Sequence, residues 1–361
     1  MDRNIICALT DKVAAKMQHL GNETGLQEEC PISIIRMDTW EWAQGVGLYG
    51  LYAYYRETGK TGIRDFLINW FEDNIRRGLP EKNVNTMCPM LTLSFLAEET
   101  GREDFLALCR EWAQWVMEEM PRTEDQGLQH VVSGAANEGQ LWDDTLFMTV
   151  LFLARAGKLF DRQDYLAESV RQFLVHIKYL TDRKTGLWFH GWTFRGQHHF
   201  AEALWARGNC WYTAGVVDYL DIAEDLDLGV KWFLLDALKS QAAALERFQH
   251  ESGMWHTLLD DPQSYVEASG TAGFAYGILK AVRLGYLEPR FLTVGKKAAL
   301  AVIQEIGEDG TVGQVSYGTG MGATLDDYRS IPLCPMTYGQ ALPILMLTEV
   351  LKLEPEPKQQ V

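Results

Sequence analysis

The sequence predicts an all-α protein, an (α/α)6 toroid of six inner and six outer helices. Helical periodicity dominates the chain, and N-G or D-G hairpin turns are essentially absent from strand-like contexts. Six segments that are apolar nearly all round recur along it, with charged, aromatic-bearing segments between them. The apolar segments are 45–54, 90–98, 146–156, 214–223, 272–281 and 340–351, starting roughly every 45 to 70 residues. That spacing leaves room for a second helix and its loops in each repeat. Segments 62–77, 102–119 and 162–180 mix Trp and Phe with many charges, as an outer layer facing water on one side must. Six pairs without polar capping repeats favour a closed ring over an open solenoid. No Pro/Gly/Ser-rich linker interrupts the chain, so 1–361 is expected to be one domain, with 354–361 a frayed tail.

Composition narrows the function. The formal net charge is -16, from 33 Lys plus Arg against 49 Asp plus Glu. Nucleic acids and anionic membranes need clustered cations, so neither is an expected partner. Residues 1–17 carry three basic side chains and no long apolar run, unlike a signal peptide, and no stretch is apolar enough to span a bilayer. The six cysteines are scattered without a C-x-x-C pair, which fits free thiols in a cytoplasmic protein. His198 and His199 lack the carboxylate or H-E-x-x-H company of a metal site, so no metal is expected. Nucleophilic-serine and phosphate-loop motifs are missing, and the glycine-rich stretch 318–322 reads as a turn near the barrel mouth. No cofactor is expected, and the oligomeric state is left open.

The unusual residues gather just before the inner segments: Asp38-Thr-Trp-Glu-Trp42, Asn83-Val-Asn-Thr86, Trp142-Asp-Asp-Thr145, Trp205-Ala-Arg-Gly-Asn209 with Trp211, Tyr265 to Thr271, and Met336-Thr-Tyr-Gly339. In a toroid all six open onto one end, where Trp faces, carboxylates and an Arg would converge on a funnel suited to carbohydrate. The plainer reading is that Asp, Asn and Thr at helix starts are caps and that most Trp side chains are core. Capping explains one of Asp143 and Asp144 at most. Arg207, between Trp205 and Gly208, needs a partner if buried: an anionic ligand or an internal carboxylate.

Trp142-Asp-Asp-Thr-Leu-Phe-Met148, Leu187-Trp-Phe-His-Gly-Trp192, Trp205-Ala-Arg-Gly-Asn209 and Asp261 to Glu267 with Ser269-Gly-Thr271 resemble glycoside hydrolase family 105. Those enzymes are unsaturated rhamnogalacturonyl hydrolases, similar to the unsaturated glucuronyl hydrolases of family 88. The resemblance runs from Trp40 to about Leu347 and itself implies an (α/α)6 barrel. It implies as substrate an unsaturated oligosaccharide from a pectin lyase, whose terminal 4,5-unsaturated uronate is released by hydration of the C4=C5 vinyl ether. By position it makes Asp144 the general acid and then the base for water, with Asp143 as a tuning neighbour or a cap. It implies that His190 orients the substrate near C4 and that Arg207 pairs with the uronate carboxylate. Trp42, Trp142 and Trp205 become stacking walls, with His130 at the rim. Relatives carry an Asp at the second inner-helix entrance, where this chain has Asn83, Asn85 and Thr86; Asn85 can hydrogen-bond but cannot take a proton. Rival readings are an unsaturated glucuronyl hydrolase acting on other lyase products, a sugar epimerase using His190 with His198 or His199, and a helical scaffold with no buried acid.

Overall fold

The computed structural model describes residues 2–22, 24–29 and 33–353. Cys30 and the expected frayed tail lie outside the described residues. The chain runs through α1 (Arg3–His19), a short α2 (Leu26–Glu29), α3 (Trp42–Thr58), α4 (Thr61–Arg77), α5 (Val84–Thr100) and α6 (Glu103–Glu118). After strand β1 (Gln140–Trp142) a π-helical turn, Leu146–Val150, leads into α7 (Leu151–Leu159), then α8 (Gln163–Leu180). Strand β2 (Gly191–Thr193), α9 (Ala206–Ile222), α10 (Leu228–Phe248), β3 (Trp255–His256) and β4 (Val266–Glu267) follow. The chain closes with α11 (Ala268–Arg283), α12 (Phe291–Gln304), α13 (Leu325–Arg329) and α14 (Thr337–Leu353).

Helices α3, α5, α7, α9, α11 and α14 pack side by side in that order, and α14 returns to α3, so the inner ring is closed. Each inner helix is backed by an outer one: α4, α6, α8, α10, α12 and, behind α14, α1. The fold is the expected all-α (α/α)6 toroid. Burial follows the pattern read from the sequence. Inner α5 buries nearly every residue from Val84 to Ala97, whereas outer α8 buries Tyr165, Ser169, Phe173, His176, Ile177 and Leu180, a stripe at helical spacing.

Inner helices approach each other closely because small residues lie at the seams. A Cβ on Gly45 of α3 would sit 2.6 Å from Cys88 Sγ and from the Pro89 nitrogen of α5, where no side chain fits. The thiols of Cys88, Cys109 and Cys210 are buried and unbridged.

The two ends of the ring differ. At the C-terminal ends of the inner helices, short turns lead outward; Gly59 and Gly101 cap α3 and α5 in the left-handed conformation, at φ 70° and 64°. At the N-terminal ends the chain returns through the longer segments 119–145, 181–205, 249–267 and 305–336. Two small antiparallel pairs brace them: β1 with β2, placing Trp142 opposite Gly191, and β3 with β4, placing Trp255 opposite Glu267. Loop length, and with it functional capacity, is concentrated on one face.

The opposite end is closed by buried charge. Lys280 Nζ lies 2.6 Å from Asp218 Oδ1 and 2.6 Å from Asp221 Oδ2, and the Tyr276 hydroxyl donates to Asp218. Lys280 and Asp218 are both buried, and removing one partner strands the other in the core. Lys280→Met is therefore expected to lower the unfolding free energy by about 3–5 kcal/mol, read as a lower midpoint in urea.

Candidate active site

A cavity of about 630 Å³ opens at the N-terminal end of the inner ring, within the usual range for small-molecule sites. Seven of the nine residues singled out in the sequence line it: Trp42, Asn85, His130, Trp142, Asp144, Trp205 and Arg207. Asp143 and His190 do not; they stand directly behind its wall.

Asp144 is set by the β1–β2 pair and the π-turn that follows. The Asp143 N–H donates to the His190 carbonyl, continuing the strand pairing, and the Asp144 carbonyl accepts from Met148 N at 3.0 Å. The widened turn changes the direction in which the inner helix starts, a common device at functional sites. Oδ1 of Asp144 is buried without a hydrogen-bond partner, and the side chain is 19% exposed, toward the cavity. Burial pushes its carboxyl up to about 7, with Arg207 pulling the other way. His130 Nδ1 lies 3.4 Å from Asp144 Oδ1 and 2.8 Å from the Thr145 hydroxyl. Burial depresses the imidazole to about 3, so the contact is between a neutral ring and an acid rather than an ion pair.

Asp143 is fully buried, with neither carboxyl oxygen partnered, and it packs on the Cα of Gly208, where a Cβ would overlap its Oδ2. Burial, and then the charge of Asp144, push its carboxyl well above the usual range. The two adjacent carboxyls titrate as a coupled pair, and desolvation is the largest cause of the rise in each. His190 is held by the Tyr328 hydroxyl at 2.7 Å, and that hydroxyl also accepts from Gly322 N.

A belt of rings surrounds the cavity. His130 stacks on Trp142 at 4.2 Å, Trp142 meets His190 edge-on at 5.2 Å, and His190 contacts Trp205 at 4.4 Å. The Arg207 guanidinium lies between Trp205 and Tyr338, 4.6 Å from each ring, and Tyr338 stacks on Trp42 at 4.7 Å. Trp42 reaches Trp211 across the ring, closing the floor. Such faces suit sugar rings.

Arg207 differs from expectation in one respect. Its two terminal nitrogens are already occupied: Nη1 by Ser316 and Ser269, Nη2 by the Tyr317 carbonyl at 3.0 Å and the Thr319 hydroxyl at 2.9 Å. Glu267 lies 3.7 Å away, equally buried, and caps α11 by accepting from Ser269 N and Gly270 N. Of the two partners considered for this cation, the internal carboxylate is present, and both terminal nitrogens are spent on the protein, while Nε is buried without a hydrogen bond. Glu41, Trp211 and Tyr338 stand inside the quoted entrance motifs and Thr319 in the glycine-rich turn, but the sequence alone assigned none of them a role.

His198 is exposed and His199 bonds the Tyr179 carbonyl, so the histidine pair of an epimerase is not assembled; His130 is the one histidine lining the cavity among the described residues. Among the described residues no group of three or more His, Cys, Asp or Glu side chains is gathered as metal ligands would be.

The family model described as Glycosyl Hydrolase Family 88 matches residues 10–354. The chain belongs to this family. It is 34% identical over 317 residues to the unsaturated rhamnogalacturonyl hydrolase YesR of Bacillus subtilis, covering 87% of this chain and 90% of that one. It is similar to a solved structure from Salmonella enterica serovar Paratyphi A, described as a possible member of GH105, at 48% identity and TM-score 0.94, covering 98% of this chain and 95% of that one. The resemblance to family 105 read from the motifs thus agrees with both comparisons. The unsaturated glucuronyl hydrolase of Bacillus sp. GL1 shares the fold, with TM-score 0.72 at 17% identity over 97% of each chain.

In this family 88 chain the strained acid leaves a signature in stability. Asp144 binds its proton more tightly folded than unfolded, so its contribution is present below about pH 4 and is lost as pH rises to about 7. Asp144→Asn cannot ionise. Its melting temperature should match the wild type near pH 4 and exceed it increasingly up to pH 7, as followed by calorimetry across pH.

Proposed function

We propose that this family 88 protein releases a terminal 4,5-unsaturated galacturonate from rhamnogalacturonan-derived disaccharides, by hydrating the C4=C5 double bond. One observation carries the reading: a largely desolvated carboxyl on the cavity wall, its buried Oδ1 without a hydrogen bond, is raised to about 7 and is an acid able to hold a proton at neutral pH and deliver it. The rhamnogalacturonyl substrate is supported by the likeness to YesR. The ring closure supports treating 1–361 as one hydrolase domain. The buried free thiols fit a cytoplasmic enzyme that finishes pectin fragments made short elsewhere.

In the first step the Asp144 O–H proton goes to C4, and the π electrons of C4=C5 form the new C4–H bond. Positive charge appears at C5 and is shared by the ring oxygen. Water adds to C5 and gives its proton to the Asp144 carboxylate, which regenerates the acid. The hemiketal then opens to a ketone at C5, and the hemiacetal at C1 expels the linked sugar. Neutral His130, 3.4 Å away, steadies the carboxyl without taking its proton. Arg207 lines the wall beside Thr319, and its positive charge favours the uronate carboxylate on that side. Trp42, Trp142 and Trp205 stack on the sugars, Asn85 offers a hydrogen bond, and Asp143 with His190 holds the wall from behind.

The test follows loss of the ultraviolet absorbance of the conjugated double bond, using a lyase-generated rhamnogalacturonan disaccharide. Wild type should consume it, and Asp144→Asn should be slower by at least about 10²-fold. Because the protonated form reacts, the wild-type rate should fall about tenfold per unit above roughly pH 7. Equal traces for wild type and Asp144→Asn would sink the reading.

A further inference from the structure

We propose that Glu41 recognises the 2-hydroxyl of the terminal unsaturated sugar, an inference that rests on the hydrolase reading above. Among the described residues lining the cavity, two are carboxylic acids: Asp144 and Glu41. Glu41 caps α3, with Oε2 accepting from Trp42 N at 2.9 Å. Its Oε1 meets only the Ser133 hydroxyl, at a long 3.4 Å, which leaves acceptor capacity facing the cavity. The adjacent Trp42 indole, fixed on Tyr338, gives a flat apolar surface beside that acceptor. An aromatic face next to a charged acceptor is a combination that binds a sugar ring and one of its hydroxyls together.

The order of the ring says which hydroxyl. Moving around the inner wall from α9 to α3, the cavity presents Arg207, Asp144, Asn85 and Glu41 from four consecutive inner helices or their entrances. Moving around the sugar from the carboxylate-bearing carbon, the positions are C5, C4, C3 and C2. With the carboxylate on the Arg207 side and C4 at Asp144, the 3-hydroxyl faces Asn85 and the 2-hydroxyl faces Glu41. C2 lies opposite C5 in a six-membered ring, as α3 lies opposite α9 in a six-helix one. The preferred substrate is then an oligosaccharide whose terminal uronate carries a free 2-hydroxyl, and a 2-O-sulfate, which removes that donor and adds bulk beside Glu41, should bind more weakly.

Calorimetric titration of the Asp144→Asn variant with the unsaturated disaccharide measures binding without turnover. Adding Glu41→Gln, which keeps the size of the side chain and an oxygen for the Trp42 N–H, should weaken binding about 10- to 100-fold. In the otherwise native enzyme the same substitution should raise KM by a like factor and change kcat by less than about threefold. Thermal unfolding of both variants shows that they are folded. Binding indifferent to Glu41, or a kcat falling as far as in Asp144→Asn, overturns the role of Glu41 alone. A wild-type protein that neither binds nor consumes the disaccharide overturns the hydrolase reading and this inference with it.

Discussion

Everything at the active end depends on how closely the inner helices can approach one another. Side chains at the seams would push neighbours apart and open the ring, so glycine and other small residues occupy them. Gly45 against Cys88 and Pro89 is one such contact; Gly277 against the Thr213 carbonyl, between α11 and α9, is another. Once six helices are held at that distance with the same direction, their first turns must share one end. The residues just before them then have no choice but to face each other. The catalytic geometry is thus a result of backbone packing before any functional side chain is considered.

Side chains convert that shared end into a rigid wall. The belt from His130 to Trp42 draws its members from four entrances, and the contacts of Trp142 with His190 and of Tyr338 with Trp42 join different repeats. Arg207 and Glu267 are the strongest tie. A buried guanidinium surrounded by acceptors and a carboxylate that caps α11 join α9, α11 and the segment 316–319. Such a pair adds little net stability, but breaking it is costly, which makes it a device for fixing geometry. Asp144, by contrast, has only the neutral His130 beside its Oδ1 inside this fixed frame. Desolvation outweighs the backbone N–H groups and the charge of Arg207 that favour its ionised form, which gives the wall an acid near neutral pH.

Much of this was legible in the sequence because it follows from periodicity. The six apolar segments mark the inner helices, and 62–77, 102–119 and 162–180 mark three of the outer ones, since an inner helix has no wet face and an outer one has. The entrance motifs named the cavity wall for the same topological reason. What the sequence hid are matters of direction and competition. Asp143 and Asp144 are adjacent in the chain, yet one is buried behind the wall and the other lines the cavity. Arg207 could be placed in the site, but not the acceptors at Ser316, Tyr317 and Thr319 that compete for its fork, more than a hundred residues away. Glu41 passed as an ordinary helix cap because it is one; that role uses one oxygen and leaves the other available.

The common direction of the inner helices also shapes how a ligand arrives. Each helix start carries a partial positive charge from its unpaired N–H groups, and here several of them ring a single opening. The protein as a whole carries -16 and repels anions at long range. Near the axis, however, the aligned backbone dipoles offset that field over the last few ångströms. An anionic fragment is therefore admitted by short-range focusing rather than drawn in from solution. Capture rates should then rise with ionic strength as the long-range repulsion is screened, the reverse of enzymes with basic funnels.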